Sequence, residues 1–197
     1  SCREKYGVDA IKKITGRDAF LAIDPTLLLT SEEWRAALSI KKSTEKYILC
    51  YMFDGVPGKQ KKQIEKIAKN EGLTIRYIPM KPSEFVNELE SGYSAAYGPK
   101  EFVELFSNAS FVVTNSFHGL LFSIIFEKPF VLYHRPVSNK WGIHEDRMSS
   151  VLELTGLSDR FLYLDTIIDS SYLKLNYSTA SKMILLERER SLEYLKN

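Results

Sequence analysis

Cysteine is nearly absent from this chain: two in 197 residues, Cys2 near the start and Cys50 inside the apolar segment YILCYMF. Two such thiols form neither a metal-ligand cluster nor the disulfide framework of a small secreted domain. Long apolar runs are missing as well. Ser, Glu or Lys interrupts each one well short of the roughly 20 residues that a bilayer-crossing helix needs. Charge of one sign is not in excess, since 27 basic and 25 acidic residues leave +2. That balance gives no general electrostatic footprint for nucleic acid and leaves room only for a local basic pocket. There is no P-loop, no GxGxxG element and no internal repeat. The chain opens SCREKYG, without an initiating Met or an apolar leader. We therefore expect a fragment of a longer protein, at home in a reducing cytoplasm or at the inner face of the membrane.

What is present is a core. With 44% hydrophobic and 12% aromatic residues, the chain has enough apolar surface for one large domain, or one domain with an appendage. VDAIKKI (8–14) reads as an amphipathic helix stopped by Gly16, AFLAI (19–23) as a strand, DPTLLL as a turn in which Asp24 caps, and SEEWRAAL as a helix. KKSTEK has linker character, with a soft boundary at 40–46. Then strands and helices alternate: YILCYMF, a Lys-rich helix over 59–70 ended by Gly72, LTIRYIP, a helix opened by Pro99, FVVTN, a helix over 119–127, and PFVLY. The Lys residues of the first of these helices interleave with Ile64, Ile67 and Ala68, the mark of a solvated face on an amphipathic helix. A helix over 146–154, a short strand FLYL and a long terminal helix follow. In the last, Met183, Leu186, Leu192 and Leu195 are the expected packing stripe.

Alternation of this kind implies an α/β fold, a Rossmann-like parallel sheet with helices on both faces. In such folds ligands bind beyond the carboxyl ends of the strands. The turn TNSFHG falls there, at the end of FVV, and the Asp54-Gly55 turn falls at the end of YILCYMF. A helix N-terminus favours anions, because its first N–H groups lack partners and its dipole is positive at that end. Ser116 is suited to cap the helix beside Asn115, Gly119 lets the backbone approach a ligand, and His118 carries an exchangeable proton. The same residue types also make ordinary caps and turns.

At SCREKYG, DPTLLL, YGPKEF and above all VVTNSFHGLLFSIIFEKPF, the chain resembles the polysaccharide pyruvyl transferase family, and the resemblance runs on to DRMSSVLELTGL. It implies one half of a GT-B-type fold: residues 1–40 as the tail of a missing N-terminal domain and connecting segment, 41–175 as a Rossmann-like C-terminal domain, and 176–197 as a C-terminal packing helix. The missing domain would complete the cleft. It also implies transfer of a pyruvyl group from phosphoenolpyruvate to two hydroxyls of a sugar or lipid-linked saccharide, leaving a pyruvate ketal on a cell-surface polysaccharide or its precursor. No cofactor, metal or nucleic acid is implied.

Family members often read Arg-Leu-His-Gly at the turn. Here His118 and Gly119 match, while Ser116 stands at the position of the Arg. The resemblance makes His118 the catalytic residue and Arg3, Asn115, Ser116, Gly119 and Arg147 the substrate-binding set, with Arg3 and Arg147 as sources of positive charge. Tyr97, Gly98 and Pro99 would shape the cleft, with Lys100 at the start of the next helix. His134, Arg135, Asn139, Lys140, Trp141 and His144 would contact sugar or merely pack. Two other functions fit the residues: a GT-B-like glycosyltransferase using a nucleotide sugar, and a non-catalytic carbohydrate-binding module.

Overall fold

Five short segments rich in β-branched and aromatic residues, β1 (Tyr47–Tyr51), β2 (Thr74–Tyr77), β3 (Phe111–Thr114), β4 (Phe130–Tyr133) and β5 (Phe161–Leu162), pair in the order β2-β1-β3-β4-β5. All four pairings are parallel. The computed structural model describes residues 1–53, 55–78, 98–135 and 143–196. Its helices are α1 (Lys5–Thr15), α2 (Ser31–Ala37), α3 (Gly58–Glu71), α4 (Pro99–Asn108), α5 (Phe117–Ile125), α6 (Ile143–Thr155) and α7 (Ser178–Lys196).

The chain forms two compact units. One comprises Ser31–Arg135 and Arg160–Leu175, the other Ser1–Thr30, Pro136–Asp159 and Asn176–Asn197.

The sheet lies in the first unit, buried on both faces, so its strands are nearly all apolar rather than alternating. Ile48, Cys50 and Met52 point to one face with Phe111, Val113, Val131 and Tyr133, and pack there with Ile64, Ile67 and Ala68 of α3. On the other face the Tyr51 ring meets Phe102 and Phe106 of α4, and both of those rings meet Phe122 of α5. Full burial of side chains of this size stabilises by about 2–3 kcal/mol each. Burial pushes the Cys50 thiol up, out of the reactive range. Helix α3 stops where the sequence predicts, at Gly72 in the left-handed conformation (φ 64°), where a residue without Cβ is least strained.

In the second unit, α7 packs on the chain around the 3-10 turn Pro25–Leu28. Arg188 donates to the carbonyls of Leu27 (2.8 Å) and Leu29 (3.3 Å), and Ser191 Oγ accepts from the Ile23 N–H (3.1 Å). Tyr194 stacks on Phe20, with ring centroids 4.2 Å apart.

Three expectations need correction. The segment 19–23 is not a sheet strand. It makes a single parallel bridge, Leu21 with Cys2, because only that short piece of backbone lies beside it. The packing stripe of α7 is Ala180, Ile184 and Ser191, whose spacing of four and seven puts small and apolar side chains on one face. Leu186 (49% exposed), Leu192 and Leu195 face outward. Helix α5 begins two residues earlier than predicted, so His118 belongs to its first turn. Asp54, Tyr97 and the loop 91–97, and Asn139, Lys140 and Trp141 lie outside the described residues, as does the side chain of His144.

Candidate functional site

The strand order fixes where a ligand pocket belongs. From β1 the chain crosses to β2 on one side, then returns to β3 on the other, so the connections diverge between the carboxyl ends of β1 and β3. Such a divergence is the usual ligand position of an open parallel sheet.

Polar side chains tie the two strand ends together there. Thr114 donates through Oγ1 to the Tyr51 carbonyl (2.6 Å) and accepts from the Ser116 N–H (3.0 Å). Asn115 Oδ1 accepts from the Phe53 N–H (2.8 Å), and Nδ2 donates to the Phe53 carbonyl (3.2 Å). One amide thus satisfies both backbone groups of the residue that ends the β1 segment. Leaving such groups buried and unpaired would cost about 1–3 kcal/mol apiece. Ser116, in extended conformation, caps α5 by accepting from the Gly119 N–H (3.4 Å). It also bonds to the Tyr51 hydroxyl, whose pKa is raised by burial and pulled back down by that bond.

Gly119 has a specific reason to lack a side chain. A Cβ there would overlap Thr114 Oγ1 and sit 3.0 Å from the Thr114 Cβ. Its absence lets the first turn of α5 press onto β3, so the space is taken by the chain itself.

Among residues 114–120 His118 alone is exposed. Its neighbours Asn115 (3% exposed) and Ser116 (2%) are enclosed. The turn therefore presents one imidazole at the positive end of a helix, on a base whose other polar side chains are committed to holding it. That arrangement suits holding an anion and moving a proton beside it.

Two residues from the next strands reach the same edge of the sheet. His134 continues the β4–β5 pairing by donating its N–H to the Leu162 carbonyl (2.9 Å), and its ring stacks on Phe161 (3.6 Å) and Tyr163 (4.3 Å). The Arg135 guanidinium lies over the Phe53 ring, 4.7 Å from its centroid. Sequence reading placed Arg135 in a polar loop; the signal that would have found it is its position directly after β4.

The structure brings Asn115, Ser116, His118 and Gly119 together. Arg3 and Arg147 belong to the other unit. Arg3 donates to Glu4 and to Asp24, both at 2.7 Å. Asp24 also accepts from the Thr26 N–H (2.9 Å), the cap expected of it. Burial works to raise its carboxyl pKa, but the bonds from Thr26 and Arg3 outweigh it, and the net shift is downward. Arg147 sits half-buried on α6. Two surface grooves of the sheet unit lie elsewhere. One of about 260 Å³ adjoins Tyr47, Glu101 and Glu104, and one of about 590 Å³ adjoins Lys66, Ile167 and Asp169. Among the described residues no group of His, Cys, Asp and Glu is placed to hold a metal, and no helix is long and apolar enough to cross a membrane.

A family model described as polysaccharide pyruvyl transferase matches residues 1–133. Curated proteins gave no match. Among solved structures, a Methanocaldococcus jannaschii UDP-GlcNAc 2-epimerase in complex with UDP-GlcNAc and UDP is similar at 15% identity, with a TM-score of 0.52 over 99% of this chain. The chain spans 60% of that protein's length. At such identity the likeness is one of fold alone, and the fold is the Rossmann-like α/β arrangement, of GT-B type, expected from the sequence.

Proposed function

The chain belongs to the polysaccharide pyruvyl transferase family, and from that premise we propose that it transfers a pyruvyl group from phosphoenolpyruvate to two hydroxyls of a saccharide, using the β3–α5 turn as the donor site. The observation that carries this reading is the exposed His118 on the first turn of α5, which follows β3 where the strand order reverses beside β1.

The chemistry assigns the parts. The donor carries a carboxylate and a phosphate, which the N-terminal end of α5 attracts. His118 gives a proton to the methylene carbon, and the adjacent carbon becomes electrophilic. A sugar hydroxyl attacks that carbon and returns its proton to the imidazole. The C–O bond to phosphate breaks, the second hydroxyl closes the ketal, and its proton leaves with the phosphate. Each proton transfer by a positioned group contributes about 10²–10⁴-fold to the rate. Asn115, Ser116 and Gly119 set the position of the turn that meets the donor. A second Rossmann-like half would form the opposite wall of the cleft and seat the acceptor, a sugar or lipid-linked saccharide at the inner face of the membrane.

Ser116, neutral where relatives often carry Arg, favours one second reading: a module that binds saccharide without turning over a donor. Phosphorus NMR separates the two. With phosphoenolpyruvate and a panel of free and lipid-linked hexoses, we expect acceptor-dependent release of inorganic phosphate and a product carrying a pyruvate ketal. Saccharide binding with no phosphate release across the panel would overturn the transferase reading.

A further inference from the structure

The donor invoked above brings two anionic groups to a turn whose own side chains carry no fixed positive charge. We propose that Arg135 is the donor-binding cation of this site, its guanidinium spanning the carboxyl end of β3 to meet the carboxylate or phosphate of phosphoenolpyruvate. This inference rests on the transferase reading and adds a residue to it.

The placement follows from the sheet. Strands β1 and β4 flank β3, so their ends lie about 9.6 Å apart, twice the strand spacing. Arg135 is two residues beyond the end of β4, and Phe53 is two residues beyond the end of β1. The Arg135 guanidinium carbon is nevertheless 4.7 Å from the centre of the Phe53 ring. The Arg135 and Phe53 side chains together therefore bridge the end of the strand between them. That strand is β3, and its end is the Thr114-Asn115-Ser116 turn that opens α5.

Both ends of this span are held. Phe53 is fixed to the turn through its N–H and carbonyl by the Asn115 side chain. The backbone before Arg135 is fixed by the His134 N–H to Leu162 bond and by the stack of the His134 ring on Phe161 and Tyr163. The cation is thus set in place before any ligand arrives, which reduces the ordering cost of binding. A guanidinium meets a carboxylate or phosphate with two parallel N–H bonds, which an ammonium does not reproduce. Ser116, enclosed and committed to its cap, offers no such charge.

The test is donor binding and steady-state kinetics on the whole protein with phosphoenolpyruvate, comparing wild type with Arg135→Ala, Arg135→Gln and Arg135→Lys. We expect Arg135→Ala and Arg135→Gln to raise the donor Kd and KM by roughly 30- to 100-fold or more, the range of a lost charged hydrogen bond. The acceptor KM should stay unchanged, and Arg135→Lys should recover part of the loss. A wild-type donor KM in both neutral variants, or a rise in the acceptor KM instead, would overturn the assignment of Arg135 and leave the transferase reading standing. Absence of donor binding and turnover in the wild type would remove the transferase reading itself. Should Arg135→Ala fail to fold, the Gln and Lys pair decides the question, since both keep an aliphatic stem and a polar end while only Lys keeps the charge.

Discussion

At the amino end of the sheet, Arg35 donates to the Ser107 carbonyl (2.8 Å) and hydroxyl (3.3 Å) while lying over the Phe126 ring, and Arg76 pairs with Glu45 over the Tyr47 ring. At the carboxyl end another arginine on a ring, Arg135, lies over Phe53 beside a turn that exposes one imidazole. The two edges are built from the same residue types. They differ in how the neighbouring polar side chains are used. At the amino end each arginine is bonded to an acceptor of the chain, closing the C-terminus of α4 and the start of β1. At the carboxyl end the polar side chains Thr114, Asn115 and Ser116 hold the backbone, and His118 is left facing outward. Substitutions at the first edge should therefore cost stability and leave chemistry alone. Those at the second should divide, with scaffold residues costing stability and His118 and Arg135 costing function.

The largest effect should come from His118→Ala. We expect turnover to fall about 10³-fold, within the range for a positioned acid–base group, while unfolding free energy changes by less than about 0.5 kcal/mol, as at an exposed position. A stability loss in step with the activity loss would erase the division within the carboxyl edge. Gly119→Ala comes next. Its methyl would collide with Thr114, whose hydroxyl is bonded to the Tyr51 carbonyl, so urea unfolding should show a loss of about 2–3 kcal/mol, as for overpacking. The better helix propensity of Ala returns only about 1 kcal/mol. A neutral result would mean that α5 does not press on β3 as described.

Arg35→Ala supplies the opposite case. Loss of its bonds to Ser107 and its packing on Phe126 should cost about 2 kcal/mol in unfolding free energy, with the donor KM unchanged. A shift in that KM would break the contrast between the edges. Asp24→Asn, in the other unit, should have the smallest effect, about 1 kcal/mol at neutral pH. The sign follows from its lowered carboxyl pKa. The stabilisation is fully present above the unfolded value of about 3.9 and is lost as pH falls through the folded one. Urea midpoints of wild type and variant should therefore converge in acid, and a gap that persists at low pH would place the Asp24 contribution outside its charge.

Much of the fold was legible because apolar periodicity and stop signals carry it. YILCY and FVVT have the run length of doubly buried strands, and Gly72 ends α3 as read. The α7 stripe was misread because Leu and Met outweigh Ala and Ser in any hydrophobicity count, whereas the buried face is set by close approach at Ala180 and Ser191. The position of the turn at a strand end was visible in TNSFHG. Its internal division of labour was not. Which polar atom meets Phe53 or Tyr51 depends on β1 and β3 being neighbours, a pairing of residues more than 60 apart. Arg135 was hidden for the same reason, since its partner ring belongs to a strand two places away in the sheet.

Amide and side-chain NMR during a phosphoenolpyruvate titration tests most directly which edge binds the donor. We expect saturable shifts at residues 115–119, at the His118 ring and at the Arg135 guanidinium, with Arg35, Ser107 and Phe126 unmoved. Saturable shifts centred on Arg35 and Ser107, with the His118 and Arg135 signals unchanged, would contradict the placement of the site at the carboxyl end of the sheet.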